Sequence, residues 1–275
     1  MKILITILKF VAKNILLVSF VGIAIYRIVT MNSIQGPEMI VSDIGQGDAI
    51  LIQQDNFQIL VDTGPDDSLI YELPKYMVGK DRNIEVVVLT HPHDDHIQGI
   101  YTLLDYYRVE NIYFVSECFE SKDFEYIKTK YGDILEPLES KTDISYGDIN
   151  FEMIYPIGIE CHSDSNDDSI VARLTINGVI TMLMGDAGYE AENTLHSNSL
   201  LGKVDILKVG HHCSRTATSD MFLREVSPAV AICSCGEGNK FGHPHSETIE
   251  KFKTANVQYL ITHQTENIVF KFKKE

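Results

Sequence analysis

Basic residues are scarce in this chain: 23 Lys and Arg stand against 39 Asp and Glu in 275 residues, a formal charge of −16. Four of those bases, Lys2, Lys9, Lys13 and Arg27, fall in residues 1–31, which contain no acid. The remainder has 19 bases and 39 acids, or −20. A broad field for binding polyanions is thereby excluded, and only a local patch, with Lys203, Lys208 and Arg215 as its candidates, opposes the repulsion. A disulfide framework is missing as well. Cys118, Cys161, Cys213, Cys233 and Cys235 are an odd set without framework spacing, and Cys233 and Cys235 alternate along one expected strand, so no pairing is forced. No Pro/Gly/Ser-rich linker and no short-period repeat divides the chain, which is long enough for one large α/β domain with a full core. That domain is expected over residues 38–275.

The first acid is Glu38, and what precedes it is a different material. Phe10–Thr30 is largely apolar, and 21 residues at helical rise reach roughly 30 Å, enough to cross a bilayer. The expectation is one N-terminal transmembrane helix within residues 1–31. Lys2, Lys9 and Lys13 place its start in the cytoplasm by the positive-inside rule, and the domain outside, at the cell membrane. A cleaved signal peptide is the alternative, with Ile15–Val21 as its apolar region, which makes a secreted protein.

Residues 90–96 read Thr-His-Pro-His-Asp-Asp-His and follow Glu85-Val-Val-Val-Leu-Thr90, an apolar run with the length and β-branching of a buried strand. His91 and His93 are staggered by two in an extended segment stiffened by Pro92, so both rings point the same way and can share a metal. Asp95 and His96 come a turn later, ahead of the helix-patterned Ile97–Tyr107, and aim at a second position. Such a cluster concentrates ligands for which a loop has no structural need. A two-metal hydrolytic centre also needs a bridging anion and a ligand for the second site. The run Val179–Met184 ends in Gly185-Asp186, a candidate bridge that also reads as an Asx turn or helix cap. Val204–Val209 delivers Gly210-His211-His212.

These segments, with Asp43-Ile-Gly-Gln-Gly-Asp48, Asp62-Thr-Gly64, Asn166-Asp-Asp-Ser169 and Gly242-His-Pro244, occur in the order found in a known family. From about Ile40 onward the chain resembles the metallo-β-lactamase superfamily, and within it the hydrolase domain of the ComEC competence channel and its free-standing relatives. The resemblance implies an α/β fold, the four-layer αββα sandwich, which also fits the coarse order: strands over Met39–Asp62, alternating helix and strand, and a second such cycle from Asn150. It implies two divalent ions, Zn or Mn. His91 and His93 would hold the first, Asp95, His96 and His211 the second, and Asp186 would bridge them. Asp62 would orient the histidine loop.

Two departures from the pattern stand out. Asn166 lies where many members carry a third first-site histidine, with His162 four residues earlier. An oxygen there makes the site harder and favours manganese. Cys213 replaces a usual glycine, either as a small side chain in the same turn or as an extra thiolate ligand.

His243 lies in the glycine-rich loop after the expected strand Ala229–Ser234. Either it donates to a substrate oxyanion at the pocket rim, or it caps the helix that begins near Ser246. His245 reads as ordinary surface. Ser214, Thr216 and Lys208 are candidate anion contacts that also read as turn formers.

The leading reading is a metal-dependent hydrolase acting on a phosphodiester through a two-metal activated hydroxide, with Asp95, His212 and His243 as catalytic candidates and His212 or His243 serving the leaving oxygen. The resemblance suggests DNA; a smaller phosphodiester, including a choline-phosphate cell-wall ester, stays open. Alternatives are acyl or thioester hydrolysis at the same centre and a metal-binding surface module without turnover.

Overall fold

The computed structural model describes residues 13–14, 19–22, 36–119, 122–138, 141–158, 161 and 165–274. Most of the expected membrane segment lies outside them. Among the described residues no helix is long and apolar enough to cross a membrane.

Two seven-stranded sheets face one another. The first half of the chain supplies β1 (Glu38–Val41), β2 (Ile50–Gln54), β3 (Phe57–Val61), β4 (Asn83–Val88), β5 (Arg108–Phe114) and β6 (Leu135–Pro137). The second supplies β7 (Thr142–Tyr146), β8 (Ile149–Tyr155), β9 (Val171–Ile176), β10 (Val179–Leu183), β11 (Ile206–Lys208), β12 (Val230–Cys233) and β13 (Gln258–Ile261). The last strand, β14 (Ile268–Lys271), returns to pair with β1, so the first sheet runs β14-β1-β2-β3-β4-β5-β6 and the second β13-β12-β11-β10-β9-β8-β7. Each sheet has an antiparallel part and a parallel part. The second cycle begins at Thr142, earlier than Asn150, and the return of β14 has no counterpart in the expected order.

Helices cover the outer faces. On the first sheet they are α1 (Leu69–Glu72), α2 (Asp94–Ile97), α3 (Ile100–Tyr106) and α4 (Lys122–Tyr131). On the second they are α5 (Tyr189–Ser197), α6 (Asp220–Val226) and α7 (Ser246–Thr254). The expected helix Ile97–Tyr107 is broken at Gly99, where a Cβ would lie 2.1 Å from the Thr63 carbonyl oxygen. Close backbone contact, not propensity, decides that break.

Because both faces of most strands are covered, their sequences read as continuous apolar runs. Along β4, Val86 and Val88 enter the layer between the sheets while Val87 packs under α2 and α3. Phe151 and Met153 meet the inward residues of the first sheet, and Met182 and Leu207 turn outward to Leu195, Phe222 and Phe252. Phe151→Ala should therefore cost about 3–5 kcal/mol. Urea unfolding should show a lower midpoint with an unchanged slope.

Candidate metal centre

The loops that follow β3, β4, β10, β11 and β12 gather at one edge of the sandwich. Asp62 leaves β3 with a left-handed φ of 59°. Its carboxylate accepts from the Thr90 amide at 2.8 Å and the Thr90 hydroxyl at 2.7 Å, and lies 2.7 Å from His96 Nδ1. This fixes His96 with Nε2 pointing away from Asp62. Burial holds the Asp62 carboxyl above its ordinary range although the charge of His96 pulls it down.

Around His96 Nε2 the donors converge. Asp186 Oδ1 lies at 3.2 Å and His212 Nε2 at 3.3 Å, while His212 Nε2 is 3.4 Å from Asp186 Oδ1 and 3.3 Å from Asp95 Oδ2. Donors bound at about 2.0–2.1 Å around one zinc-like cation are themselves roughly 3.3–3.4 Å apart, so the mutual spacing of His96 Nε2, Asp186 Oδ1 and His212 Nε2 fits one cation. The other carboxylate oxygen of Asp186 faces His91 Nε2 at 3.8 Å, and His91, His93 and Asp186 form a second compact group. His93 Nε2 meets Ser165 Oγ at 2.8 Å, which leaves its other ring nitrogen for a ligand role. Nε2 of His91 and Oδ1 of Asp186 are buried and make no hydrogen bond. Such atoms are costly unless something else satisfies them, and a divalent cation does so.

Charge balance agrees. Burial pushes His91 well below the usual imidazole range, helped by His96 and His93. Burial would also lower His96 and His212, but the carboxylates prevail: His96 is held well above its ordinary value by Asp186 and Asp62, and His212 rises to about 9 beside Asp186, Asp48 and Asp95. Asp186 is held well below the carboxylate range, because His212, His96 and His91 outweigh its burial. Asp95 falls to about 2, burial notwithstanding, through its hydrogen bond to His212 and the charge of His96. Protons and a metal would compete for the same atoms.

Of the two adjacent histidines, the second rather than the expected first joins the centre. His212, buried, joins His96 and Asp186, whereas His211 is half-buried with Nδ1 3.2 Å from Thr216 Oγ1. The cause is a turn in which His211, His212 and Cys213 all adopt left-handed φ, 47°, 53° and 64°, so that the second ring swings inward. Three such non-glycine residues in a row cost on the order of 1–3 kcal/mol each. Cys213 is neither a free small side chain nor a thiolate ligand, since it is joined by a disulfide to Cys233 at the end of β12. A second disulfide links Cys118 to Cys161. Spacing had forced neither pairing.

Lys208 is no anion contact and contributes nothing to a basic patch. It is fully buried, with Nζ 2.5 Å from Asp48 Oδ2 and 3.0 Å from the Val209 carbonyl. Asp48 is the site residue whose role the sequence hid. Burial opposes its ionisation, yet Lys208 and His212 hold it well below the carboxylate range. Asp48 also falls within ligand distance of His96, Asp186 and His212. Its 3.6 Å approach, however, is to His212 Nδ1, the nitrogen bonded to the Ser234 carbonyl at 2.9 Å. That contact braces the ring from behind, while Asp95 approaches the front nitrogen of the same ring at 3.3 Å. The available signal was Gly47-Asp48: a Cβ on Gly47 would lie 2.1 Å from the Asp95 carbonyl oxygen, which docks this loop on α2.

A cleft of about 810 Å³ opens over the centre, and His93, Asp95, Asn166, Asp186, His212 and His243 are among its walls. His162 lies outside the described residues. Asn166 also borders an adjoining pocket of about 280 Å³ with Thr216 and His211. Ser214 does not line the cleft; its hydroxyl accepts from the Thr216 amide and hydroxyl and closes the turn. The N-cap of α7 is His245, so His243 is not a helix cap. His243 is buried, its ring 5.5 Å from that of His211 and 6.1 Å from that of His212, and burial with its cationic neighbours lowers it to about 4.

The metallo-beta-lactamase superfamily matches residues 42–237, and the chain belongs to that family. It is 27% identical over 253 residues to ComE operon protein 3 of Bacillus subtilis, covering 84% of this chain and 32% of that protein. It is 30% identical over 214 residues to Recombination protein 2 of Haemophilus influenzae, covering 76% of this chain and 25% of the other. The chain thus spans a third or less of these relatives. Among solved structures, the metallo-beta-lactamase fold protein YhfI from Bacillus subtilis superposes with a TM-score of 0.58 at 16% identity, over 86% of this chain and 100% of that one.

Two outcomes follow from the centre. Asp186→Ala should remove most bound metal, measured by elemental analysis after gel filtration, whereas His196→Ala, on exposed α5, should keep it; full metal content in the Asp186 variant would contradict the bridge. Cys213→Gly, which relieves the left-handed strain, should retain metal despite losing the disulfide. Cys213→Val should lose at least tenfold in affinity, because a β-branched residue resists that φ.

Proposed function

We propose that this chain is a two-metal phosphodiesterase of nuclease type. The observation that carries the reading is the split Asp186 carboxylate, one oxygen toward His96 and His212 and the other toward His91, which forms a compact group with His93 and Asp186. Divalent cations held there would lower the pKa of a bound water toward neutrality and would supply positive charge to the reacting phosphate. His91 and His93 would hold one ion, and His96, His212 and Asp95 the other. Asp62 and Asp48 keep the rings oriented. His243 stands on the wall of the cleft, and we assign its ring to a hydrogen bond that stabilises the leaving oxygen. Among the described residues, Ser165 meets His93 and Asn166 lines the cleft beside the first position, and oxygen donors there favour manganese over zinc.

The name of Recombination protein 2 points toward nucleic acid as the substrate class. The charge of −20 beyond residue 31 favours short or end-held strands over long duplexes. The proposed location is extracytoplasmic, with the domain of residues 38–275 tethered by an uncleaved helix within residues 1–31. Two disulfides support an oxidising compartment.

The full chain loaded with manganese should hydrolyse bis(4-nitrophenyl) phosphate faster than the zinc form. His243→Ala should lower kcat by about 10²-fold or more with unchanged metal content. Cleavage of a thioester or β-lactam with every phosphodiester untouched would replace this reading by acyl hydrolysis. For location, N-terminal sequencing of protein from the membrane fraction should find residues 1–31 intact; a mature terminus near Ile25 would show a removed signal.

A further inference from the structure

One wall of the cleft is an aromatic side chain that the fold holds out in water. Phe241 is 49% exposed, in the loop between β12 and α7. Exposing half a phenyl ring forgoes hydrophobic burial, and the loop does not let it fold away. Asn239 sets the conformation. Its side-chain nitrogen donates to the Gly236 carbonyl at 2.9 Å and the His243 carbonyl at 2.6 Å, while its oxygen accepts from the Phe241 amide at 3.2 Å and the His243 amide at 3.0 Å. One asparagine thus closes the whole turn.

The ring held by that turn is oriented as well as exposed. Phe241 lies nearly parallel to His243, with centroids 5.7 Å apart and an interplanar angle of 19°. His243 in turn neighbours His211 and His212. The aromatic surface therefore continues from the metal centre out to the cleft mouth. Lys240 places its ammonium 4.9 Å from the Phe241 centroid. A flat apolar surface with one cation near it, two ring contacts from the candidate metal centre, matches a nucleotide, whose base is flat and whose phosphate is anionic. A paired base has both faces occupied by its neighbours in the stack, so the platform suits unpaired bases only.

We propose that Phe241 is a base-stacking platform that makes this site selective for single-stranded nucleic acid, with Lys240 against the adjoining phosphate. The proposal rests on the phosphodiesterase reading and adds the recognised moiety. It also reconciles a nucleic-acid substrate with an acidic domain: stacking supplies affinity that does not depend on a basic surface, whereas a phosphate grip alone would meet the repulsion of −20.

The test uses the full chain, a fluorescein-labelled oligothymidylate decamer and an abasic decamer of the same charge. Both strands carry phosphorothioate linkages, which resist cleavage, and binding to the metal-loaded protein is read by fluorescence anisotropy. The thymidylate should bind about tenfold or more tightly than the abasic strand, the loss expected when base stacking is removed. Phe241→Ala should shrink that ratio below about twofold, and Phe241→Trp should preserve it. Equal affinities in the wild type, a ratio unchanged by Phe241→Ala, or no binding of the thymidylate strand would each overturn the proposal. The readout is separate from turnover. Hydrolysis of bis(4-nitrophenyl) phosphate with no base preference leaves the phosphodiesterase reading standing and removes the platform; base preference without any phosphodiester cleavage does the reverse.

Discussion

The site depends on the Asp62 carboxylate. It is fully buried, and it spends its oxygens on the Thr90 amide, the Thr90 hydroxyl and His96 Nδ1. Those bonds tie the end of β3 to the loop after β4 and set which nitrogen of His96 faces the centre. Thr90 then reaches His91 Nδ1 at 3.1 Å, so a second ring is oriented through the same link. A carboxylate taken out of water is tolerated only with its bonds made, and here making them orients the rings of both His96 and His91. The backbone adds a clamp, since the Thr63 amide and hydroxyl both bond to the His96 carbonyl.

The second sheet answers with a different device. Its contribution, Asp186 and His212, comes from the ends of the parallel neighbours β10 and β11. The ring of His212 is fixed from behind by the Ser234 carbonyl and by the Asp48–Lys208 pair. Placing it inward requires three successive left-handed residues, and the Cys213–Cys233 disulfide fastens that turn to β12. Buried ion pairs add little net stability on their own. Asp48–Lys208 is better understood as fixing one orientation of one imidazole, as ligand geometry requires.

The parts that could be read in the chain were those in which residue type alone states a chemical purpose. His91, His93, Asp95 and His96 are too dense a ligand set for a loop, and apolar β-branched runs ending in Gly-Asp or Gly-His-His mark strand ends. What escaped reading was the direction of a side chain in a turn and the partner of a buried charge. Lys208 looks like a surface cation in sequence and is wholly enclosed. His211 and His212 are indistinguishable as letters, and a left-handed turn chooses between them. Asn239 reads as a loop residue, yet it organises the wall of the cleft.

By itself the sequence determined the inventory: the ligand types, the apolar runs long enough to be covered on both faces, the glycines that permit close loops, and a net charge hostile to long polyanions. These are local or additive properties, readable without knowing which residues meet. Tertiary structure alone decided the pairings, Asp48 with Lys208, Cys213 with Cys233 and His212 with Asp186, and with them the position of every ligand atom. The physical reason is separation along the chain. Donors that must stand about 3.3 Å apart on one cation come from strands as distant as β4 and β11, and only the packing of two sheets brings their ends together.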